Sequence, residues 1–234
     1  MGVCAGFAIL GRKMVWLRVL PKAVLAVALI ATPAVAANNR PTARVQIEQQ
    51  LLAGFSKAEQ EKLIGYQSVT HASTFQRDGR DYMSGISYQL VDMKADELFS
   101  LLQKVDHTLP RALPATHKAR YLRNKGDLQL VQLVHGNAFL NGTYTVVWQP
   151  EANAREVKFW LAPELPHDLR DIWGFFRITP VDHGRRALVT VAVAVDVGSD
   201  GPQAMAAGKI QKIILKSARY FGKFVDRRLG RNVE

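Results

Sequence analysis

Cysteine is almost missing from this chain: the 234 residues contain one, Cys4. A mature protein that starts after residue 36 then has no disulfide, no thiolate nucleophile and no cysteine metal site, and its stability must come from an apolar core. Long apolar runs are missing too. The run from Ala23 to Ile30 falls short of the roughly 20 residues a membrane-spanning helix needs. There is no phosphate-cradling glycine loop, no dinucleotide fingerprint and no nucleophile-elbow pattern. Acid is the scarcer charge, with 20 Asp and Glu against 31 Lys and Arg, for a formal net charge of +11.

The N-terminus reads as a removable signal peptide over residues 1–36. Arg12, Lys13, Arg18 and Lys22 supply positive charge, the apolar run follows, and Ala34-Val35-Ala36 fits a small-residue cleavage site. Met14 is an alternative start. The leader holds four of the basic residues and no acid, which leaves +7 on the mature chain. For an exported basic protein the compartment favours an anionic membrane surface or an acidic ligand over nucleic acid. The expected localisation is periplasmic or secreted. Residues 37–66 read as an N-terminal extension ending in a short helix, in which Ser56 and Glu59 have capping-box spacing, and residues 67–234 read as one domain.

That domain opens as a hairpin, with strands over 67–76 and 82–91 separated by Asp78-Gly79. Leu98, Leu101 and Leu102 then mark a helical face, and Pro110 and Pro114 are expected to stop regular helix. Six further strands are predicted over 116–124, 128–139, 142–149, 155–162, 172–181 and 186–197. Asn141-Gly142 gives the sharpest turn signal between them, preferred to its reading as a glycosylation sequon. One long helix is predicted from about residue 203 to 229, because Ala207, Ile210, Ile214, Ala218, Phe221 and Val225 recur every three or four positions. The expected class is α+β, a curved antiparallel sheet wrapped around a long C-terminal helix.

Particular stretches carry a family likeness. They are Tyr88-Gln89-Leu90-Val91, Ala95-Asp96-Glu97-Leu98-Phe99, the Leu109-Pro110 and Leu113-Pro114 pairs, Ala119-Arg120-Tyr121-Leu122, Trp173-Gly174-Phe175-Phe176-Arg177-Ile178 and the terminal helix. With these the chain resembles the helix-grip fold of the START-like superfamily of polyketide cyclases and lipid-transport domains. The resemblance implies a hydrophobic cavity between sheet and helix that holds a lipid or other apolar small molecule without a cofactor.

Strand alternation nominates the cavity wall. Tyr144, Val146 and Trp148 share a face, as do Val157, Phe159 and Leu161, and Val189, Val191, Val193 and Val195 form a row. His135 and Asn137 put polar groups on the face of Val131 and Leu133, and Arg120 is a candidate partner for an acidic head group. Ile214 and Phe221 complete the expected ligand-binding set from the helix side. An alternative is a cyclase- or aromatase-like enzyme that uses His135, Tyr144 or Arg120 to move protons on a polyketide-like substrate. A third reading is an interaction module with a filled core. Residues 166–171 gather His167, Asp168 and Asp171, but without a third strong ligand type nearby they read as turn chemistry and not as a metal site. Finally, Lys209, Lys212, Lys216, Arg219, Lys223 and Arg227 form a single-sign stripe, which reads either as a plainly solvated helix face or as one that meets anionic lipid or an acidic partner.

Overall fold

The computed structural model describes residues 52–126, 128–136, 141–198 and 207–231. The expected leader, Asn137 and the first residues of the expected terminal helix lie outside the described residues. Helix α1 (Lys57–Ile64) starts where the sequence signals it: Ser56 N donates to the Glu59 carboxylate at 2.8 Å, and Glu59 N donates back to Ser56 Oγ at 3.4 Å. Strands β1 (Val69–Arg77) and β2 (Arg80–Val91) follow. Asp78 and Gly79 join them, both with positive φ (53° and 71°), the geometry of a twisted two-residue hairpin.

Two short helices, α2 (Ala95–Gln103) and α3 (Val105–Ala112), follow. Pro110 lies inside α3, not beyond its end. It sits in the last turn, where its missing N–H costs one helical bond, and Leu113 N closes the helix onto Leu109 O at 2.8 Å. The meander then runs through β3 (Thr116–Lys125), β4 (Leu128–Gly136), β5 (Asn141–Glu151), β6 (Glu156–Leu161), β7 (Asp171–Val181) and β8 (Arg186–Asp196). Asn141-Gly142 does not form the expected turn. Both residues already belong to β5, with Gly136 opposite Asn141 and His135 opposite Gly142.

All pairings are antiparallel, in the order β1-β2-β8-β7-β6-β5-β4-β3, so β1 and β3 are the edges. The terminal helix is two helices, α4 (Ala207–Leu215) and α5 (Ser217–Arg228), broken at Lys216. Ser217 Oγ bonds back to Ile213 O at 3.4 Å, and Lys216 N reaches Ile213 O at 3.1 Å, three residues back. Such a back-bond bends a helix by competing for the carbonyl. No helix among the described residues is long and apolar enough to cross a membrane.

Two glycines let these helices lie close against β2. A Cβ on Gly85 would stand 2.6 Å from Leu215 Cδ2, and one on Gly222 would stand 2.9 Å from Gln89 Cγ. Beneath α5 the interior is closed by aromatic rings. Trp148 stacks on Phe159 and tilts against Phe176, with centroids 5.8 and 5.5 Å apart, and Phe176 meets Phe221 at 5.5 Å.

Candidate functional site

The inward row of β4 is Val131, Leu133 and His135, and that of β5 is Tyr144, Val146 and Trp148; all but His135 are fully buried. His135 ends its row, with Thr116 directly across on β3 and Tyr144 diagonally across on β5. Its ring stacks near Tyr144, with centroids 5.4 Å apart. Thr116 Oγ1 lies 2.5 Å from His135 Nε2, and the Tyr144 hydroxyl is hydrogen-bonded to Nδ1. The three side chains form one polar chain in an apolar wall.

Burial sets the protonation of this chain. Removal from water, together with the nearby charge of His117, pushes the His135 imidazole down from 6.5 to about 4, so it is neutral at pH 7. Burial also raises the Tyr144 phenol well above its usual value, so that group keeps its proton. A neutral imidazole donates from one ring nitrogen and accepts at the other, and the Tyr144 and Thr116 hydroxyls can each serve either role, so the chain is satisfied in both tautomers. Thr116 is the member that strand alternation did not nominate.

The remaining expected site residues separate by depth. Trp148 and Val191 each keep 1 % of their surface open and Phe221 keeps 0 %, so these three fill the interior instead of walling a space. The Trp148 indole N–H is buried and has no partner among the described residues. Phe159 packs on Gly174, where a Cβ would collide with the Phe159 ring and Ala192 O. Ile214 is buried on α4, nearer the open end. Asn137 lies outside the described residues.

Arg120 corrects an expectation. It pairs with Gln132 and therefore faces the convex side, away from His135. The cause is a pair of bulges in β3, between Tyr121 and Arg123 and between Thr116 and Lys118. Counted from the Lys125–Leu128 pair without bulges, Arg120 would meet Leu133 on the inward face and Lys118 would meet His135. One extra residue turns Arg120 outward, and the second brings Thr116, a neutral hydroxyl, opposite the histidine.

Apart from Leu101 on α2, the partly buried apolar side chains packed against the core lie toward one end of the grip. Met83, Leu113, Leu169, Val193, Ala207 and Ile210 are half-buried and packed against the core, as His135 is half-buried on β4. They come from the start of β2, the end of β8, α4 and two loops. Met83 also borders an open groove of about 430 Å³ along the β1–β2 hairpin, lined with Thr74, Phe75, Gln76, Asp81 and Tyr82. The loop over residues 166–171 closes against β5: Thr143 N donates to Asp168 Oδ2 at 2.7 Å, and His167 Nδ1 lies 2.6 Å from Leu169 O.

On the opposite face of the terminal helices, Lys209, Lys212, Lys216, Arg219 and Arg227 are exposed and Lys223 is half-buried. The stripe therefore crosses the break between α4 and α5. Arg227 Nη2 also donates to Arg111 O at 2.9 Å, tying α5 to α3.

No protein-family model and no curated protein matches the sequence. Solved structures do. A Thermus thermophilus protein is similar with a TM-score of 0.52 at 10% identity, over 62% of this chain and 94% of that one. The Zhui aromatase/cyclase of a Streptomyces species gives 0.50 at 14% identity, over 70% of this chain and 95% of that one. A START superfamily protein from Mycobacterium smegmatis gives 0.49 at 15% identity, over 63% and 97%. The chain shares its fold with the first two: α+β, with a curved eight-stranded antiparallel sheet gripping C-terminal helices.

Proposed function

We propose that the protein is an exported START-like binding protein that takes a lipid or other apolar small molecule at the open end of the grip, between the sheet and α4. The observation that carries this reading is the half-buried apolar rim beside a single polar chain, Tyr144–His135–Thr116. Each methylene buried against such a rim contributes about 0.8 kcal/mol, against about 1 kcal/mol net for one hydrogen bond. The rim therefore governs affinity and the polar chain governs orientation. The leader supports export, and the cationic stripe supports docking on an anionic membrane surface, where an apolar cargo is collected or released.

The cyclase-like alternative asks His135 to act as a base. An imidazole held near 4 is too weak a base to take protons efficiently near neutrality, which favours binding over catalysis. Titration with a fluorescent fatty-acid probe tests the proposal. Val193→Trp, which fills the rim, and Ile210→Glu, which charges it, are each expected to weaken probe binding about tenfold or more while the protein still unfolds cooperatively. Equal binding by wild type and both folded variants would overturn it.

A further inference from the structure

Edge strand β3 has an unusual composition. Its ten residues include Lys118, Arg120, Arg123 and Lys125, with His117, and no acid; its sheet neighbour β4 has no acid either. Among the described residues no carboxylate pairs with Lys118, Arg120 or Arg123. All three face the convex side, opposite Val134, Gln132 and Leu130. A few cations suffice to keep an edge from pairing with other strands, so that duty does not account for what lies between them.

Tyr121 and Leu122, consecutive and both large and apolar, are 41 % and 38 % exposed. The bulge between Tyr121 and Arg123 leaves Leu122 without a partner on β4, while Tyr121 takes the place opposite Val131 at the rim of the sheet. Arg120 and Arg123 flank the pair. Apolar and aromatic tips flanked along the strand by cations that no described carboxylate pairs match the boundary between lipid head groups and acyl chains. A peptide adding as a ninth strand would need a regular edge, and two bulges interrupt this one.

We infer that the bulged edge Arg120-Tyr121-Leu122-Arg123 is the point at which the protein enters an anionic phospholipid surface. This rests on the docking reading above and names its insertion point. Leu122 and Tyr121 enter the interface while Lys118, Arg120 and Arg123 engage phosphates. Helix α3 packs against both β3 and α5, so this edge and the cationic stripe of the terminal helices flank the same short helix.

The test is co-sedimentation of the purified protein with phosphatidylcholine vesicles, with and without phosphatidylglycerol. Wild type is expected to bind only the anionic vesicles. The pair Tyr121→Ser and Leu122→Ser, and separately Arg120→Gln with Arg123→Gln, are expected to lower that affinity about tenfold or more with fatty-acid probe binding unchanged. Leu122→Trp is expected to gain emission that brominated lipid quenches. If both edge variants bind as wild type and the Leu122→Trp emission ignores vesicles, the inference is wrong. Loss of binding confined to Lys212→Gln with Lys216→Gln would leave docking in place and remove the edge from it. Failure of wild type to bind removes both. A lipid-free oligomer that the edge variants dissolve would assign the edge to another protein chain and overturn the lipid assignment.

Discussion

Both ring nitrogens of His135 are engaged by hydroxyls, and its burial has a measurable consequence. The unfolded chain takes up a proton on this residue below pH 6.5, whereas the folded chain resists until about 4. Stability is therefore expected to fall as pH drops from 6.5 to 4 and to level off below, by about 3 kcal/mol from this group. Urea unfolding of wild type and His135→Gln at pH 7 and pH 4.5 checks this: the variant should lose less stability on acidification, and equal losses would count against a neutral His135. His135 and Tyr144 were legible in the sequence because strand alternation puts them on the apolar face. Thr116 was not, since its partnership depends on two bulges that no turn or propensity signal announces. Arg120 failed for the same reason, because one inserted residue exchanges the faces of everything beyond it.

Among elements, the strands follow from period-two patterning, and Asp78-Gly79 forms the hairpin its chemistry demands, whereas Asn141-Gly142 lies inside β5 and leaves the turn to other residues. The break at Lys216 has no proline or glycine to mark it. It arises where a serine hydroxyl competes for a helical carbonyl, and the apolar spacing continues across it unchanged. Pro110 shows the opposite case, a helix breaker tolerated because the helix ends within two residues. The fit of α4 on β2 depends on Gly85, whose hypothetical Cβ meets Leu215 Cδ2 at 2.6 Å. Gly85→Ala is expected to cost about 1–3 kcal/mol. The combination of Gly85→Ala with Leu215→Ala should cost less than the sum of the two single substitutions, because the second removes the atom that the first strikes. Additive costs in a double-mutant cycle would show that this contact does not hold the helix in place.

For the whole molecule, the architecture divides the grip into two regions. Under α5 the rings of Trp148, Phe159, Phe176 and Phe221 close the interior, which gives the sheet and helix a rigid common core. Toward α4 the side chains remain half-buried and apolar, and the binding proposal puts the guest there, outside that core. The sequence made the wrapped architecture readable from element order, but not this division, because alternation places Trp148 and Tyr144 on one face without revealing how deep each lies. Native mass spectrometry of the protein purified from its own host tests the central claim most directly. The account predicts a mass increment from one apolar molecule per chain, lost on extraction with organic solvent and diminished in Val193→Trp. Repeated preparations at the bare polypeptide mass, with no apolar compound in the extract, would contradict it.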